Sequence, residues 1–234
     1  MPLWSSDDEL FALARRELFT AVVGDCLDHM GLRRQFLPPV FSPLRDDMVA
    51  VGRAMPVLET DVYDAASITG GPAGDADLKK AFGLLFRALD DLRPNEIYLC
   101  TGSSPRYALW GELMSLRAMK CGAAGAVVDG FSRDTPGILN LGFPTFSHGR
   151  YAQDQGVRGK VVDWRVPLEF ANGARVEPGD IVFADLDGVL IVPAAAAEEA
   201  FTRAIEKVRG EKLVRDAIEQ GMSTVQAFET FGIM

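Results

Sequence analysis

Two polar segments in the middle of the chain hold the side chains best suited to chemistry. The first is Gly111-Glu112-Leu113, and the second is 129–134, which ends in Arg133-Asp134. An Asp carboxylate can hold a hard divalent cation, and an Arg guanidinium makes charge-assisted hydrogen bonds to carboxylates. Free N–H groups in the first turn of a helix beginning near Glu112 would also favour an anion. Together the segments predict a metal site and a small anion site in one pocket.

The apolar runs around these segments predict a βαβ unit. Residues 97–100 and 126–128 are short apolar runs typical of buried strands, and a helix is predicted over about 108–120. Because such crossovers join parallel strands, both polar segments should lie at the carboxyl edge of the sheet, where α/β proteins place ligands. Leucines at helical spacing are expected on the buried face of this helix: Leu109, Leu113 and Leu116.

Helices are predicted at both ends of the chain. A capping box from Ser6 to Glu9 begins the first helix, and a second helix covers about 21–30. Apolar residues at a period of 3.6 predict a helix over about 197–208, and a cap at Ser223 begins the last one.

Strands dominate the second half of the predicted layout. Asp187-Gly188 between two apolar runs predicts a β-hairpin. The predicted fold class is therefore α/β, with a central βαβ unit, a β-rich second half and C-terminal helices. We divide the chain into a domain of residues 1–209 and a helical extension of 210–234. The other predicted elements are strands at about 49–58, 142–146, 161–166, 174–176 and 181–183 and a helix at about 78–89.

Charge, cysteine content and hydropathy argue against a nucleic-acid-binding, disulfide-bonded or membrane-spanning protein. The net charge of -9 argues against nucleic acid as a partner, because phosphate neutralisation needs a basic face. The three cysteines are scattered among apolar neighbours and are expected to be free thiols of a reducing compartment. No signal peptide and no apolar run long enough to cross a membrane is visible, so we expect a cytoplasmic protein.

Each candidate site residue also has a structural explanation. An Arg-Asp pair such as Arg133-Asp134 is commonly a loop salt bridge, and Glu112 is equally an acid at a helix N-terminus. Asp129 could simply cap the turn at Gly130. Spacing by itself therefore leaves the site a hypothesis.

Other candidate ligands have weaker patterns. Asp185 and Asp187 flank a hairpin turn, where Asp is favoured for backbone reasons. His29 and His148 lack the spacing of zinc ligands. The Gly-rich run 70–74 lacks the Gly-Lys-Ser/Thr ending of a phosphate-binding loop, so no nucleotide site is predicted there.

The central motifs resemble those of the 4-hydroxy-4-methyl-2-oxoglutarate aldolase family, which also includes the RNase E inhibitor-like protein RraA. The resemblance covers about 20–208. It is carried by the runs Ala108-Leu109-Trp110-Gly111-Glu112-Leu113, Gly122-Ala123-Ala124-Gly125-Ala126-Val127-Val128-Asp129-Gly130, Arg133-Asp134, Leu141-Gly142-Phe143-Pro144, Pro178-Gly179-Asp180 and Asp187-Gly188-Val189.

The resemblance implies a role for each residue of the predicted pocket. The Asp matching Asp134 is the direct protein ligand to Mg²⁺ or Mn²⁺, and the Arg matching Arg133 binds the pyruvyl part of the substrate. Backbone N–H groups at Leu113 and Met114, after Gly111, hold the substrate carboxylate. The acid matching Glu112 orients a water molecule of the metal. The family also implies an αββα fold of the swivelling-domain type and a homotrimer or homohexamer with active sites at subunit boundaries.

The activity implied is that of a lyase, a class II aldolase. It would cleave a 4-hydroxy-2-oxo acid to pyruvate and a second carbonyl compound, with oxaloacetate decarboxylation as a side activity. The alternative is a non-catalytic regulator that binds a protein such as a ribonuclease. A methyltransferase is not expected, because no Gly-x-Gly-x-Gly turn is present. The apolar segment 135–139 departs from the polar stretch expected of the methyl-oxoglutarate enzymes, which leaves the substrate open.

Overall fold

A computed structural model of the protein describes residues 3–63 and 76–232, so the Gly-rich run 70–74 lies outside the described residues. None of the helices in these two ranges combines the length and apolar character needed to cross a membrane. The helices are α1 (Asp7–Glu17), α2 (Thr20–His29), α3 (Leu85–Asp90), α4 (Glu112–Lys120), α5 (Thr135–Leu141), α6 (Ala197–Glu219) and α7 (Thr224–Phe231).

The strands of the described residues are β1 (Ser42–Pro43), β2 (Ala50–Asp61), β3 (Phe82–Gly83), β4 (Glu96–Thr101), β5 (Ala108–Trp110), β6 (Gly125–Val128), β7 (Phe131–Ser132), β8 (Thr145–Ser147), β9 (Gly159–Trp164), β10 (Leu168–Glu169), β11 (Arg175–Val176), β12 (Ile181–Asp185) and β13 (Gly188–Val192). Nine of them form a mixed main sheet. Its central path runs β1-β8-β6-β4-β2-β12-β13, and β9 joins β2 to β3. Two small sheets pair β10 with β11 and β5 with β7.

The predicted βαβ unit and the α/β fold class are confirmed. Strands β2, β4, β6 and β8 are parallel neighbours, with helix α4 between β4 and β6. The carboxyl ends of β4 and β6, at Thr101 and Val128, therefore point to the same edge. The segments after these two strands continue through the short strands β5 and β7 to helix α4 and to Arg133-Asp134.

Apolar cores lie on both faces of the sheet, one beneath helices α1, α2 and α6 and a larger one that includes residues of helices α3, α4 and α5. Along β12, Ile181 and Phe183 pack with helices α1, α2 and α6, while Val182 and Ala184 pack into the main core. Successive side chains of a strand point to opposite faces, so the alternation places an apolar layer on each side. The helix predicted at 197–208 is confirmed as the first half of α6, with its apolar stripe buried.

The helix predicted over 108–120 is wrong at its beginning. Residues 108–110 form strand β5, which pairs with β7, and the helix begins only at Glu112. The leucine stripe is therefore not buried as predicted: Leu109 is in the core, but Leu113 is 79% exposed and Leu116 is 40% exposed. Strand pairing with a distant segment overrides the local helical period.

The helix predicted over 78–89 is wrong in its first part and confirmed only from Leu85 onward. A short 3-10 turn (Asp77–Lys79) leads to strand β3, and only Leu85–Asp90 is α-helical. Phe82 and Gly83 both have left-handed backbones, with φ of 68° and 57°, which no α-helix tolerates. The backbone of Gly83 lies so close to the Val161 carbonyl oxygen that no Cβ would fit there.

The C-terminal region forms the helices predicted from its sequence. Helix α7 begins at a complete capping box between Ser223 and Gln226. Helix α6 runs from Ala197 to Glu219 without a break, so it crosses the boundary after residue 209. The division of the chain into 1–209 and 210–234 stays a prediction.

Candidate metal and anion site

Asp134 has the backbone conformation that sets the geometry of the site. It is the N-cap of helix α5, with a left-handed backbone at φ 54° and ψ 34°. An Asp at this position usually accepts a hydrogen bond from its own helix, but the Asp134 carboxylate makes no such capping bond. A non-glycine residue with positive φ costs free energy, and such residues cluster at functional sites. The carboxylate is thus directed away from its helix.

Gly111 brings the N-terminus of helix α4 against this carboxylate. It is the N-cap of α4, and as a glycine it has no side chain that could hydrogen-bond to the first N–H groups of the helix. A Cβ added to Gly111 would lie 2.8 Å from Oδ2 of Asp134, so only glycine allows this approach. The first N–H groups of a helix have no acceptor within the helix. Those of Glu112, Leu113 and Met114 are therefore suited to an anion beside Asp134.

A buried hydrogen-bond chain holds the turn before α4 in place. The indole N–H of Trp110 donates to Oγ of Ser115 at 2.7 Å, and that hydroxyl donates to the Gly111 carbonyl at 3.1 Å. The Trp110 ring packs against Tyr98, with ring centroids 4.8 Å apart. The position of Gly111 therefore depends on the core and not on the loop alone.

Arg133 enters the same site by strand pairing. Its backbone N–H donates to the Trp110 carbonyl at 2.9 Å, which continues the pairing of β5 with β7. Its guanidinium lies 3.0 Å from Oδ1 of Asp154 and 3.7 Å from Oδ2 of Asp134. A cation thus sits between two carboxylates in a partly exposed position, where an anion from solvent can reach it.

These residues line one cleft of about 200 Å³. Gly111, Leu113, Met114, Arg133 and Asp134 all contribute to its wall. The sixth predicted residue, Glu112, does not line it: its side chain lies over Gly137 in helix α5, where any Cβ would collide with the carboxylate. The structure therefore brings the predicted binding residues together, with Glu112 beside them.

Sequence reasoning missed Asp154. It comes from the connection before β9, and its Oδ2 accepts a hydrogen bond from the Gly156 N–H at 2.9 Å. That bond fixes the carboxylate that faces Arg133. The only signal in the sequence is Asp154-Gln155-Gly156, a common turn pattern that does not indicate a distant Arg.

A buried carboxyl group lies directly behind the cleft wall. Glu59 is almost fully buried, and Nε2 of Gln155, a residue of the cleft, donates to its Oε2 at 2.6 Å. Burial raises the pKa of Glu59 to about 8, although the hydrogen bond from Gln155 opposes this rise. Near neutral pH this carboxyl group is largely protonated.

Asp129 and Asp185 have structural contacts in the fold. Asp129 accepts a hydrogen bond from the Thr101 hydroxyl, and its Oδ1 lies 2.9 Å from Nε2 of His148. It therefore links the carboxyl ends of the neighbouring strands β4, β6 and β8. Asp185 accepts hydrogen bonds from the N–H and the hydroxyl of Thr20, each at 2.7 Å. It therefore joins helix α2 to the β12–β13 hairpin.

The donor groups in the cleft fit a hard divalent cation. In residues 3–63 and 76–232 no three His, Cys, Asp or Glu side chains form a cluster that could enclose an ion. Asp134 supplies a carboxylate that its own helix does not use, and Mg²⁺ commonly takes one or two carboxylates and keeps several waters. The site fits a hard, largely hydrated divalent cation.

Comparison with known proteins gives distant matches. DlpA of Legionella pneumophila is 32% identical over 123 residues, which is 53% of this chain but only 20% of DlpA. A Halalkalibacterium halodurans protein named "Putative 4-hydroxy-4-methyl-2-oxoglutarate aldolase" is 27% identical over 161 residues, 68% of this chain and 75% of that protein. The structure of Streptomyces coelicolor RraAS2, described as an unusual member of the RNase ES inhibitor RraA protein family, matches with a TM-score of 0.73.

The fold and the family follow from these matches. RraAS2 aligns over 92% of this chain and 99% of its own length at 24% identity, which is a likeness of fold. The model of the family described as RraA-like, Aldolase/RraA, matches residues 20–191, the part that contains the sheet and the cleft. This chain belongs to the RraA-like family, which contains proteins named as aldolases and others named as ribonuclease inhibitors.

Proposed function

We propose that this chain is a divalent-metal-dependent aldolase that cleaves a 4-hydroxy-2-oxo acid to pyruvate and a second carbonyl compound. The observation that carries the proposal is the Asp134 carboxylate, which makes no capping bond to its own helix and lies against the N-terminus of α4. An Asp at the N-cap of a helix usually accepts a hydrogen bond from that helix. A non-glycine residue with positive φ costs free energy, and such residues cluster at functional sites.

Different residues of the cleft bind different groups of the substrate. Arg133 and the N–H groups of Leu113 and Met114 bind the carboxylate and 2-oxo group of the pyruvyl part. As the C3–C4 bond breaks, its electron pair becomes an enolate, and the Arg133 guanidinium stabilises the negative charge on its oxygen. Asp134 would hold a divalent cation, Mg²⁺ or Mn²⁺, which would act as a Lewis acid and supply further stabilisation of negative charge.

Proton transfer completes the balance of the reaction. The C4 hydroxyl loses its proton as its carbon becomes a carbonyl, and C3 of the enolate gains one to give pyruvate. Glu112, at the first position of helix α4, is the proposed group that orients the water carrying this proton. No lysine is required, because the enolate forms without an imine. Oxaloacetate decarboxylation would pass through the same enolate as a side activity.

The assay is pyruvate release from a panel of 4-hydroxy-2-oxo acids, measured with Mg²⁺, with Mn²⁺ and with EDTA. We expect metal-dependent release that Asp134→Asn abolishes. Asp216→Asn, a change of an exposed aspartate in helix α6, controls for the loss of one negative charge. If no panel member and no oxaloacetate reacts under any metal condition, the aldolase proposal is wrong and a ribonuclease-binding regulator becomes the better hypothesis.

We also propose that the chain assembles as a homotrimer or homohexamer. Leu113 at the rim of the cleft is 79% exposed and Phe86 is 61% exposed, and exposed apolar side chains of this size often lie in protein interfaces. Sedimentation equilibrium gives the stoichiometry. A monomer over the concentration range of the enzyme assay would contradict this part of the proposal.

A further inference from the structure

Contacts of its backbone and its carboxylate hold Asp154 at the edge of the cleft. The Ala108 N–H donates to the carbonyl of Gln153 at 2.8 Å, and an isolated bridge pairs Asp154 with Ala108 of β5. The Arg158 guanidinium donates to the Asp154 carbonyl at 2.9 Å. Oδ2 of Asp154 accepts the Gly156 N–H at 2.9 Å, which is a local turn typical of Asp. The carboxylate is therefore oriented before any ligand binds.

The residue after Asp154 is anchored inside the protein. Gln155 is 3% exposed, and its Nε2 donates to Oε2 of Glu59 on β2 at 2.6 Å. Strand β2 lies in the middle of the main sheet, between β4 and β12. The turn that presents Asp154 is thus attached to β5 on one side and to the central sheet on the other.

Arg133 lies between this carboxylate and the one proposed to hold the metal. Its Nη1 is 3.0 Å from Oδ1 of Asp154, whereas its Nε is 3.7 Å from Oδ2 of Asp134. The first distance is that of a close ion pair, and the second exceeds the range of a hydrogen bond. A guanidinium that turned toward Asp134 would neutralise that carboxylate and compete with a divalent cation for it. It would also present fewer N–H groups to a substrate anion.

We propose that Asp154 is a positioning residue for Arg133. It holds the guanidinium toward the cleft and away from Asp134, so that the cation is available to the substrate anion and the Asp134 carboxylate to the metal. The inference rests on the proposed function for the identity of that anion, the carboxylate of a 2-oxo acid. The ion pair is partly exposed and adds little to the stability of the fold. Its effect on binding is larger, because a side chain that is already oriented loses less entropy when the ligand binds.

Oxalate, which resembles the enolate of pyruvate in shape and charge, probes the site without turnover. Calorimetry measures its affinity for the wild type and for Asp154→Asn in the presence of Mn²⁺. Removing a carboxylate makes the cleft more positive, so charge alone predicts tighter binding of oxalate. Loss of positioning predicts the opposite sign, and we expect binding about tenfold weaker. Tighter or unchanged binding in Asp154→Asn overturns the inference, and so does a wild type that binds no oxalate.

A double-mutant cycle on Mn²⁺ affinity tests whether Asp154 acts through Arg133. We expect Asp154→Asn to weaken Mn²⁺ binding about tenfold in the wild type, because Arg133 is then free to pair with Asp134. In an Arg133→Leu background the same change should weaken it less than about threefold. Asp216→Asn, at an exposed aspartate of helix α6, is the matched control and should leave both affinities unchanged. An equal loss in both backgrounds would mean that Asp154 acts on the metal site directly, which overturns the positioning role.

Steady-state kinetics separates this inference from the aldolase function. With a 2-oxo acid that the wild type cleaves, Asp154→Asn should raise KM and lower kcat, because Arg133 contacts both the substrate and the enolate. If no 2-oxo acid is cleaved, the aldolase proposal fails, but weaker oxalate binding in Asp154→Asn still supports the positioning role. If the wild type is an active aldolase and Asp154→Asn has the same kcat/KM and oxalate affinity, the positioning role fails and the aldolase function stands.

Discussion

We expect the folded chain to lose stability as the pH rises, because of the buried carboxyl group of Glu59. The substitution Glu59→Gln should remove this loss. Glu59 lies on β2, almost fully buried behind the cleft wall, and burial raises its pKa to about 8. The unfolded chain has an ordinary Glu at this position, with a pKa near 4.5. Between these values the folded state keeps a proton that the unfolded state has released, so the free energy of unfolding falls as pH rises.

The size of the effect follows from the two pKa values. At pH 5 both states are partly or fully protonated at this group and the penalty is below about 1 kcal/mol. At pH 8 the folded group is half ionised while the unfolded group is fully ionised, which costs about 4 kcal/mol. The expected change between these conditions is therefore of order 3 kcal/mol. Gln has the same shape, can still accept a hydrogen bond from Gln155 through its amide oxygen, and carries no proton to lose.

The assay is urea unfolding of the wild type and Glu59→Gln at pH 5, 6.5 and 8. We expect the variant to be little different at pH 5 and more stable than the wild type by about 3 kcal/mol at pH 8. Glu169→Gln, a change at an exposed glutamate, controls for the loss of one acidic group. A difference between wild type and variant that does not change with pH would refute the reasoning, because it would mean that Glu59 ionises normally in the folded state.

Three further substitutions test the geometry of the site and of the fold. Gly111→Ala places a Cβ 2.8 Å from Oδ2 of Asp134 and should weaken Mn²⁺ binding, measured by calorimetry, by about tenfold. Gly137→Ala displaces the Glu112 side chain and should lower kcat about tenfold, with the Mn²⁺ affinity little changed. Arg165→Leu leaves the buried Glu96 carboxylate without its ion pair at 2.6 Å and should destabilise the fold by about 2–3 kcal/mol, measured by urea unfolding. Unchanged Mn²⁺ affinity in Gly111→Ala, unchanged kcat in Gly137→Ala or unchanged stability in Arg165→Leu would contradict the corresponding expectation.

The strands and helices that the sequence predicts well are those whose apolar pattern is determined by how they pack in or against the main sheet. Residues 97–100 and 126–128 are apolar throughout because parallel central strands are covered on both sides. The stripe of helix α6 repeats at 3.6 residues because it packs on a single face of the sheet. In both cases local composition and tertiary burial require the same pattern.

The predictions that failed concern segments whose structure depends on a distant partner. Residues 108–110 have a helical pattern, but they pair with β7, which follows about twenty residues later in the chain. Residues 82–83 break a predicted helix because they pair with β9. Local spacing contains no information about such pairings, and pairing energy exceeds intrinsic helix preference.

The same limit applies to the candidate site. Arg133 and Asp134 could be placed beside helix α4 from sequence, because a βαβ unit brings its two loops to one edge. Asp154 could not be found, since it reaches Arg133 from an irregular segment after β8. Glu59 could not be found either, because an acid in a strand is expected to face water. Its burial depends on Gln155, which lies 96 positions further along the chain.

The failed leucine stripe also bears on function. A helix that buried Leu113 and Leu116 in the core would leave the rim of the cleft polar, but the pairing of β5 with β7 turns Leu113 outward beside Arg133. That pairing simultaneously places Gly111 against Asp134. One local arrangement therefore creates both the charged end of the cleft and its apolar rim. A substitution that breaks the β5–β7 pairing should consequently weaken metal binding, because it moves Gly111 and the N-terminus of α4 away from Asp134.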